Sequence, residues 1–187
     1  RERNVTIMFT DVVGFSAIAE QHQPDAVAAF LNRHYTLVVA EIERQRGTVA
    51  QFIGDSVLAY WGAPDPMPDH AERAAAAALG IERALEDENA GRAARGEAPV
   101  RVRIGINTGM ISAGTVGGAG RATYAAVGDA VNAAQRIEQL GKVLCPDRPT
   151  VAILLGEATA ERLGAAFLVE PVGRQPLRGR VRAEEVF

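Results

Sequence analysis

Lysine is almost missing from this chain: of its twenty basic residues only Lys142 is a lysine, and the rest are arginines. A phosphate-binding loop of the G-K-[ST] kind is therefore excluded, and Gly117, Gly118 and Gly120 read as a hairpin tip instead. Cysteine is down to Cys145 alone, so no intrachain disulfide can form, which fits a reducing, cytoplasmic setting. No apolar run is long enough to span a bilayer, and no signal peptide is visible. An excess of positive charge is lacking too. The net charge of −3 argues against a nucleic-acid-binding surface and so against nucleic acid as a partner. His22, His34 and His70 are scattered without metal-ligand spacing and read as surface or capping residues. The chain opens on Arg1 rather than Met, which points to a piece of a longer protein.

What is present is 48% apolar residues in 187, enough for one domain spanning 1–187 with a substantial core. Its pivotal stretch is IMFTDVVGFSAI, Ile7 to Ile18. Val5 to Thr10 predicts a buried strand whose exit carries Asp11, with Gly14 and Phe15 opening a helical pattern. A carboxylate at a strand end can hold a cation, while free amides at a helix start face an anion. A plain capping aspartate would explain Asp11 equally well. A second carboxylate, Asp55 on the turn of FIGDSV, tips the reading toward a metal site.

Between these points, Pro24 to Gln45 predicts a long helix with Val27, Phe30, Leu31, Val38 and Ile42 on its buried face and Gly47 ending it. Thr48 to Phe52 and Ser56 to Trp61 predict a hairpin, with Trp61 in the core. A loop from Pro64 to Pro68, an Ala-rich helix from Ala71 to Glu86 and a polar connector from Glu88 to Pro99 follow. In Val100 to Asn107 the residues Val102, Ile104 and Ile106 point inward against Arg101, Arg103 and Gly105, a strand with Met110 to Thr115 as its neighbour. Asp129 to Leu140 predicts a helix capped by Asp129. The last third predicts a strand near Val151, a helix from Glu157 to Leu163, and closing strands near Phe167 and Val186. The class is α+β, with short antiparallel hairpins rather than a doubly wound parallel sheet.

Four stretches, VTIMFTDVVGFS, FIGDSVLAYWGAP, RIGINTGMISAGTVG and YAAVGDAVNAAQRIE, stand in this order over nearly the whole chain. Together they resemble the catalytic domain of class III nucleotidyl cyclases, the adenylyl and guanylyl cyclases, and the bacterial branch in particular. The resemblance implies a ferredoxin-like βαββαβ core with added hairpins and helices, working as a head-to-tail homodimer with two interface sites. It implies cyclisation of ATP or GTP to the 3′,5′-cyclic monophosphate with two divalent cations, Mg²⁺ or Mn²⁺. Asp11 and Asp55 match the two metal aspartates, with the carbonyl of Val12 a further ligand and Gly14 and Phe15 beside the phosphates. Asn132 and Arg136, four apart on one helix face, match the residues that orient the ribose and stabilise charge on the α-phosphate. Arg178, or as a second choice Arg180, in LRGRVR, stands where the family usually has a lysine for the terminal phosphates. Bacterial relatives also carry regulatory or sensor domains, and a membrane anchor is found in some parents.

Two positions depart from the pattern. The residues that read the base are Gln51 and Ala125, where adenylyl cyclases have lysine and aspartate or threonine, and guanylyl cyclases glutamate and cysteine or serine. A glutamine amide both donates and accepts, so it can serve adenine or guanine, and Ala125 adds no polar group. Two other classes stay open. One is a degenerate cyclase-like domain that binds nucleotide or dimerises as a regulatory module. The other is a diguanylate cyclase or polymerase-palm relative, which should bring a GG[DE]EF-like hairpin that FIGDSV is not.

Overall fold

The apolar run Val5–Phe9 sits in the middle strand of a sheet covered on both faces, which is why it shows no polar alternation. The computed structural model describes residues 2–118, 121–176 and 183–187, and for 113–118 and 121–127 the backbone alone. Within these, β1 (Glu2–Val12) leads through α1 (Phe15–Gln21) and α2 (Pro24–Arg44) to the hairpin β2 (Thr48–Ile53) and β3 (Ser56–Trp61). Then come α3 (His70–Ala94), β4 (Val102–Gly118), β5 (Arg121–Val127) and α4 (Asp129–Leu144). The remainder is β6 (Val151–Leu155), α5 (Glu157–Ala160), β7 (Gly173–Gln175) and β8 (Glu184–Val186). The sheet order is β2-β3-β1-β4-β5, with β6 parallel to the first half of β4 and the other pairings antiparallel. The first four strands and their helices form the expected ferredoxin-like βαββαβ unit.

Strand alternation assigns the two faces. Met8 and Val12 pack with Val38 and Ile42 of α2 and with Ala74, Ala77, Ala78 and Ile81 of α3. Val5, Ile7 and Phe9 pack on the other face with Ala130 and Ala134 of α4. The small side chains of α3 and α4 bring these helices close to the strands.

The buried hydroxyls of this core are paired, as burial demands. Thr6 Oγ1 lies 2.6 Å from Nδ1 of His70 and 2.7 Å from Thr108 Oγ1, which lies 3.0 Å from Thr159 Oγ1. His70 is thus a core histidine rather than a surface or capping one. His22 does cap, its ring nitrogen 2.8 Å from the carbonyl of Ile18.

Several elements differ from the sequence expectations. Val100–Asn107 and Met110–Thr115 are one strand, because β1 pairs with β4 without a break from Glu2↔Ser112 to Val12↔Val102. Gly109 does not turn the chain there; a Cβ on it would stand 2.8 Å from that of Ala130, so it seats the first turn of α4. The polar connector is largely helix, since α3 runs on to Ala94. Asn89 then ties Val100 back onto α3, its amide giving and receiving main-chain hydrogen bonds at 2.8 and 2.7 Å. Helix α2 closes with Arg46, not Gly47, in the left-handed region (φ 61). The bonds Gly47 N–H to Ile42 O and Arg46 N–H to Glu43 O complete this end. Gly47 is needed for space instead, because a Cβ there would come within 2.5 Å of the Trp61 ring. Asp129 is the first helical residue of α4, behind Gly128 in the cap position. Residues near Phe167 form no strand, and α5 stops at Ala160.

Candidate active site

Asp11, on β1, and Asp55, on the turn between β2 and β3, come to one point. The β1–β3 pairing reaches Thr10↔Val57, which leaves Asp11 beside the hairpin turn that carries Asp55. The main-chain N–H of Val12 donates to Asp55 Oδ2 at 2.9 Å, and Ser56 Oγ stands 3.4 Å from Asp11 Oδ1. Burial, and then hydrogen-bond contact with the Asp11 carboxyl, push the pKa of Asp55 up to about 6. The turn is held from outside by α2. Tyr35 donates its hydroxyl to the carbonyl of Gly54, and its ring lies 4.5 Å from that of Phe52. Gly54 supplies the positive φ (60°) that the turn requires.

A third side chain closes the other flank of Asp11, and the sequence reading did not find it. Arg103, only 8% exposed, donates from Nη2 to Asp11 Oδ2 and from Nε to Glu138 Oε1 at 2.8 Å. It was expected on an outward face, but that face lies under α4. Gly105 makes this possible, since a Cβ there would stand 2.2 Å from the main-chain nitrogen of Glu138. Burial raises the Glu138 carboxyl above its usual range, with Arg103 pulling the other way. The signal available was the row Arg103, Gly105, Asn107, Gly109, in which glycines on a strand face mark a close backbone approach.

Two carboxylates pressed together, each with an oxygen not committed to Val12 or Arg103, form a hard all-oxygen donor set that suits Mg²⁺ or Mn²⁺. A cation would favour the charged form of Asp55, which burial and the contact with Asp11 disfavour. Among the described residues no group of three or more His, Cys, Asp or Glu side chains converges on a point. The rest of a coordination shell would have to come from main-chain oxygens, water or a bound phosphate.

Gly14 follows at once, with φ 74 at the cap of α1, and Phe15 opens that helix with its ring 6.2 Å from that of Phe30. Asn132 and Arg136 do share a face of α4. That face turns from the sheet, because Ala130, Ala133, Ala134, Ile137 and Glu138 occupy the buried side. Asn132 is exposed, and Arg136 is half-buried with its Nη1 shielded from solvent and without a hydrogen-bond partner among the described residues. No described hydrogen bond or ion pair joins either residue to Asp11 or Asp55 within the chain. Gln51 is exposed on β2, where the pairing with β3 shifts register. Ala125 lies on β5, opposite Gly114, and β2 and β5 touch. Arg178 and Arg180 lie outside the described residues.

His34 also departs from expectation. It is 5% exposed, neither ring nitrogen has a hydrogen-bond partner among the described residues, and burial lowers its pKa to about 4 against the field of Asp11. Among the described residues no helix is long and apolar enough to cross a membrane.

Adenylate cyclase 1 of Rhizobium meliloti (strain 1021) is 36% identical over 185 residues, which is 99% of this chain and 27% of that protein. The chain thus spans about a quarter of that relative's length. The adenylyl cyclase CyaB from P. aeruginosa superposes with a TM-score of 0.89 over 100% of this chain and 93% of that one; at 23% identity this likeness speaks for the fold. The guanylate cyclase domain of RhGC from Catenaria anguillulae, solved in complex with GTP, gives a TM-score of 0.84 at 28% identity, covering 100% of this chain and 96% of that one. Residues 1–187 match the family described as the adenylate and guanylate cyclase catalytic domain. With its paired aspartates on a ferredoxin-like sheet and its whole length matched, the chain belongs to that family, the phosphorus–oxygen lyases known as class III nucleotidyl cyclases.

Proposed function

We infer that this chain converts ATP or GTP to the 3′,5′-cyclic monophosphate and pyrophosphate, at sites shared between two copies. The observation that carries the reading is the contact of the Asp11 and Asp55 carboxyls at the end of β1. Two divalent cations, Mg²⁺ or Mn²⁺, held by these carboxylates and the Val12 carbonyl would acidify the ribose 3′-hydroxyl and offset phosphate charge. Gly14 and Phe15 supply main-chain amides beside the triphosphate, and Arg178 grips its far end. Asn132 orients the ribose. Arg136 offers its planar fork to the α-phosphate as the new 3′ oxygen–phosphorus bond forms and the bond to pyrophosphate breaks.

The outward face of α4 supports the shared site. Asn132 and Arg136 turn from the sheet that carries Asp11, so a second copy is the natural source of the carboxylates they serve. The shielded Nη1 of Arg136, unpartnered among the described residues, is a donor awaiting an acceptor. Gln51 and Ala125 are the positions that would read the base, and the Gln51 amide suits either purine. All 187 residues act as one cyclase domain, with sensor domains elsewhere in the parent protein.

Product formation tests the reading directly. The chain is incubated with ATP or GTP and Mn²⁺ or Mg²⁺, and products are separated against cyclic nucleotide standards. Cyclic product is expected. Its absence from both nucleotides, at concentrations where the dimer forms, would leave a non-catalytic module.

A further inference from the structure

Helix α4 carries more than the outward pair. Successive helical residues are about 100° apart, so Glu138 lies about 200° round from Arg136, on the side facing the sheet. There it is 5% exposed and meets Arg103 Nε at 2.8 Å, while Nη2 of the same guanidinium meets Asp11 Oδ2. Two glycines make the approach possible. Gly105 leaves room for the main chain at Glu138, and a Cβ on Gly141 would press to 3.0 Å on Arg103 Cδ. We propose that Glu138 is a positioning residue of the metal site, anchoring Arg103 so that Asp11 keeps one carboxylate oxygen free beside Asp55. This rests on the reading of Asp11 and Asp55 as metal ligands.

A guanidinium prefers to give two parallel hydrogen bonds to one carboxylate. With Nε taken by Glu138, Arg103 reaches Asp11 through its other edge. Freed from Glu138, it would turn its fork onto Asp11 and engage both oxygens. Glu138 also sets the balance of the cluster. Three carboxylates against one guanidinium leave two negative charges for a dication, and loss of Glu138 leaves one. Both effects weaken cation binding. Because α4 presents Arg136 on its opposite side, one helix would then support its own copy's metal site and its partner's phosphate site.

The test is Mn²⁺ binding to the full chain without nucleotide, followed by electron paramagnetic resonance of the free ion. Glu138→Ala should weaken binding about tenfold, the scale seen when partners of metal ligands are removed. Glu138→Gln keeps an acceptor for the Nε–H without the charge and should recover part of the loss. Combined with Arg103→Met, Glu138→Gln should have a smaller effect than it has alone. Wild-type affinity in a folded Glu138→Ala chain overturns the role. If that variant does not fold, wild-type affinity in Glu138→Gln, or an undiminished effect beside Arg103→Met, overturns it equally. Asp55→Ala separates the two readings. Binding lost in Asp55→Ala but not in the Glu138 variants removes the positioning role alone, and binding retained in Asp55→Ala removes the metal site and the role with it.

Discussion

The main-chain N–H of Val12 and Oδ2 of Asp55 are 2.9 Å apart, so the last residue of β1 fixes the carboxylate on the neighbouring hairpin turn. Burial, and then the hydrogen-bond contact with Asp11, raise the Asp55 pKa to about 6, while the bond from Val12 pulls the other way. Asp55→Asn should therefore separate activity from stability. The amide oxygen still accepts from Val12 and the carboxylate repulsion disappears, so the melting temperature should hold or rise. Metal-dependent turnover should fall about a hundredfold or more, the scale for losing one charge-stabilising group. Near-normal turnover would remove Asp55 from the metal site.

His34 makes a pH prediction. Its pKa drops on folding from 6.5 to about 4, so between these values only the unfolded chain takes up the proton. The stability of the neutral buried ring is complete above pH 6.5 and declines as the pH falls toward 4, by about 3 kcal/mol in all. Asp55 has the opposite sign, but it is common to wild type and variant and cancels in their difference. His34→Phe should gain on wild type by that amount between pH 7 and 4, read from urea unfolding. Parallel curves would show that the ring is not held neutral.

Gly105→Ala should destabilise by about 2 kcal/mol or more, since its Cβ would meet the Glu138 backbone rather than a movable side chain. A lowered urea midpoint at unchanged slope is the expected result. A neutral effect would mean that α4 sits on β4 less tightly than the geometry requires.

Much of this was legible in the chain. The apolar run before Asp11, the glycine turn at Asp55 and the alternation of Val102, Ile104 and Ile106 announced the central strands and both carboxylates. The ferredoxin-like α+β class and the family stand as read. What could not be read was the second face of β4, because a strand with arginine and glycine at alternate positions looks solvated until a helix is known to lie on it. Arg103 and Glu138 were missed for that reason. His34 carries a readable signal: it falls in phase with Phe30, Val38 and Ile42, on the buried face of α2. Helical spacing places this polar residue inside, within an apolar stripe.

Base choice should follow the two departures. Gln51→Lys with Ala125→Asp gives the purine edge the donor and acceptor that adenylyl cyclases carry, and should shift the ratio of ATP to GTP turnover toward ATP by about tenfold or more. The ratio of kcat/KM values measures it. An unchanged ratio would mean that the base is read elsewhere.

The shared site is tested most directly by mixing two inactive chains. Asp11→Ala lacks the carboxylate proposed for the metal, and Arg136→Ala lacks the arginine proposed for the α-phosphate. In a two-fold dimer of one of each, one site loses both groups and the other keeps both. Cyclic product formation is measured for each variant alone and for an equimolar mixture in which heterodimers are shown by differential tagging. Each variant alone should be inactive, and the mixture should recover about a quarter of the wild-type rate, since half the dimers are mixed and each has one intact site. No recovery with heterodimers present would contradict a site built from two copies.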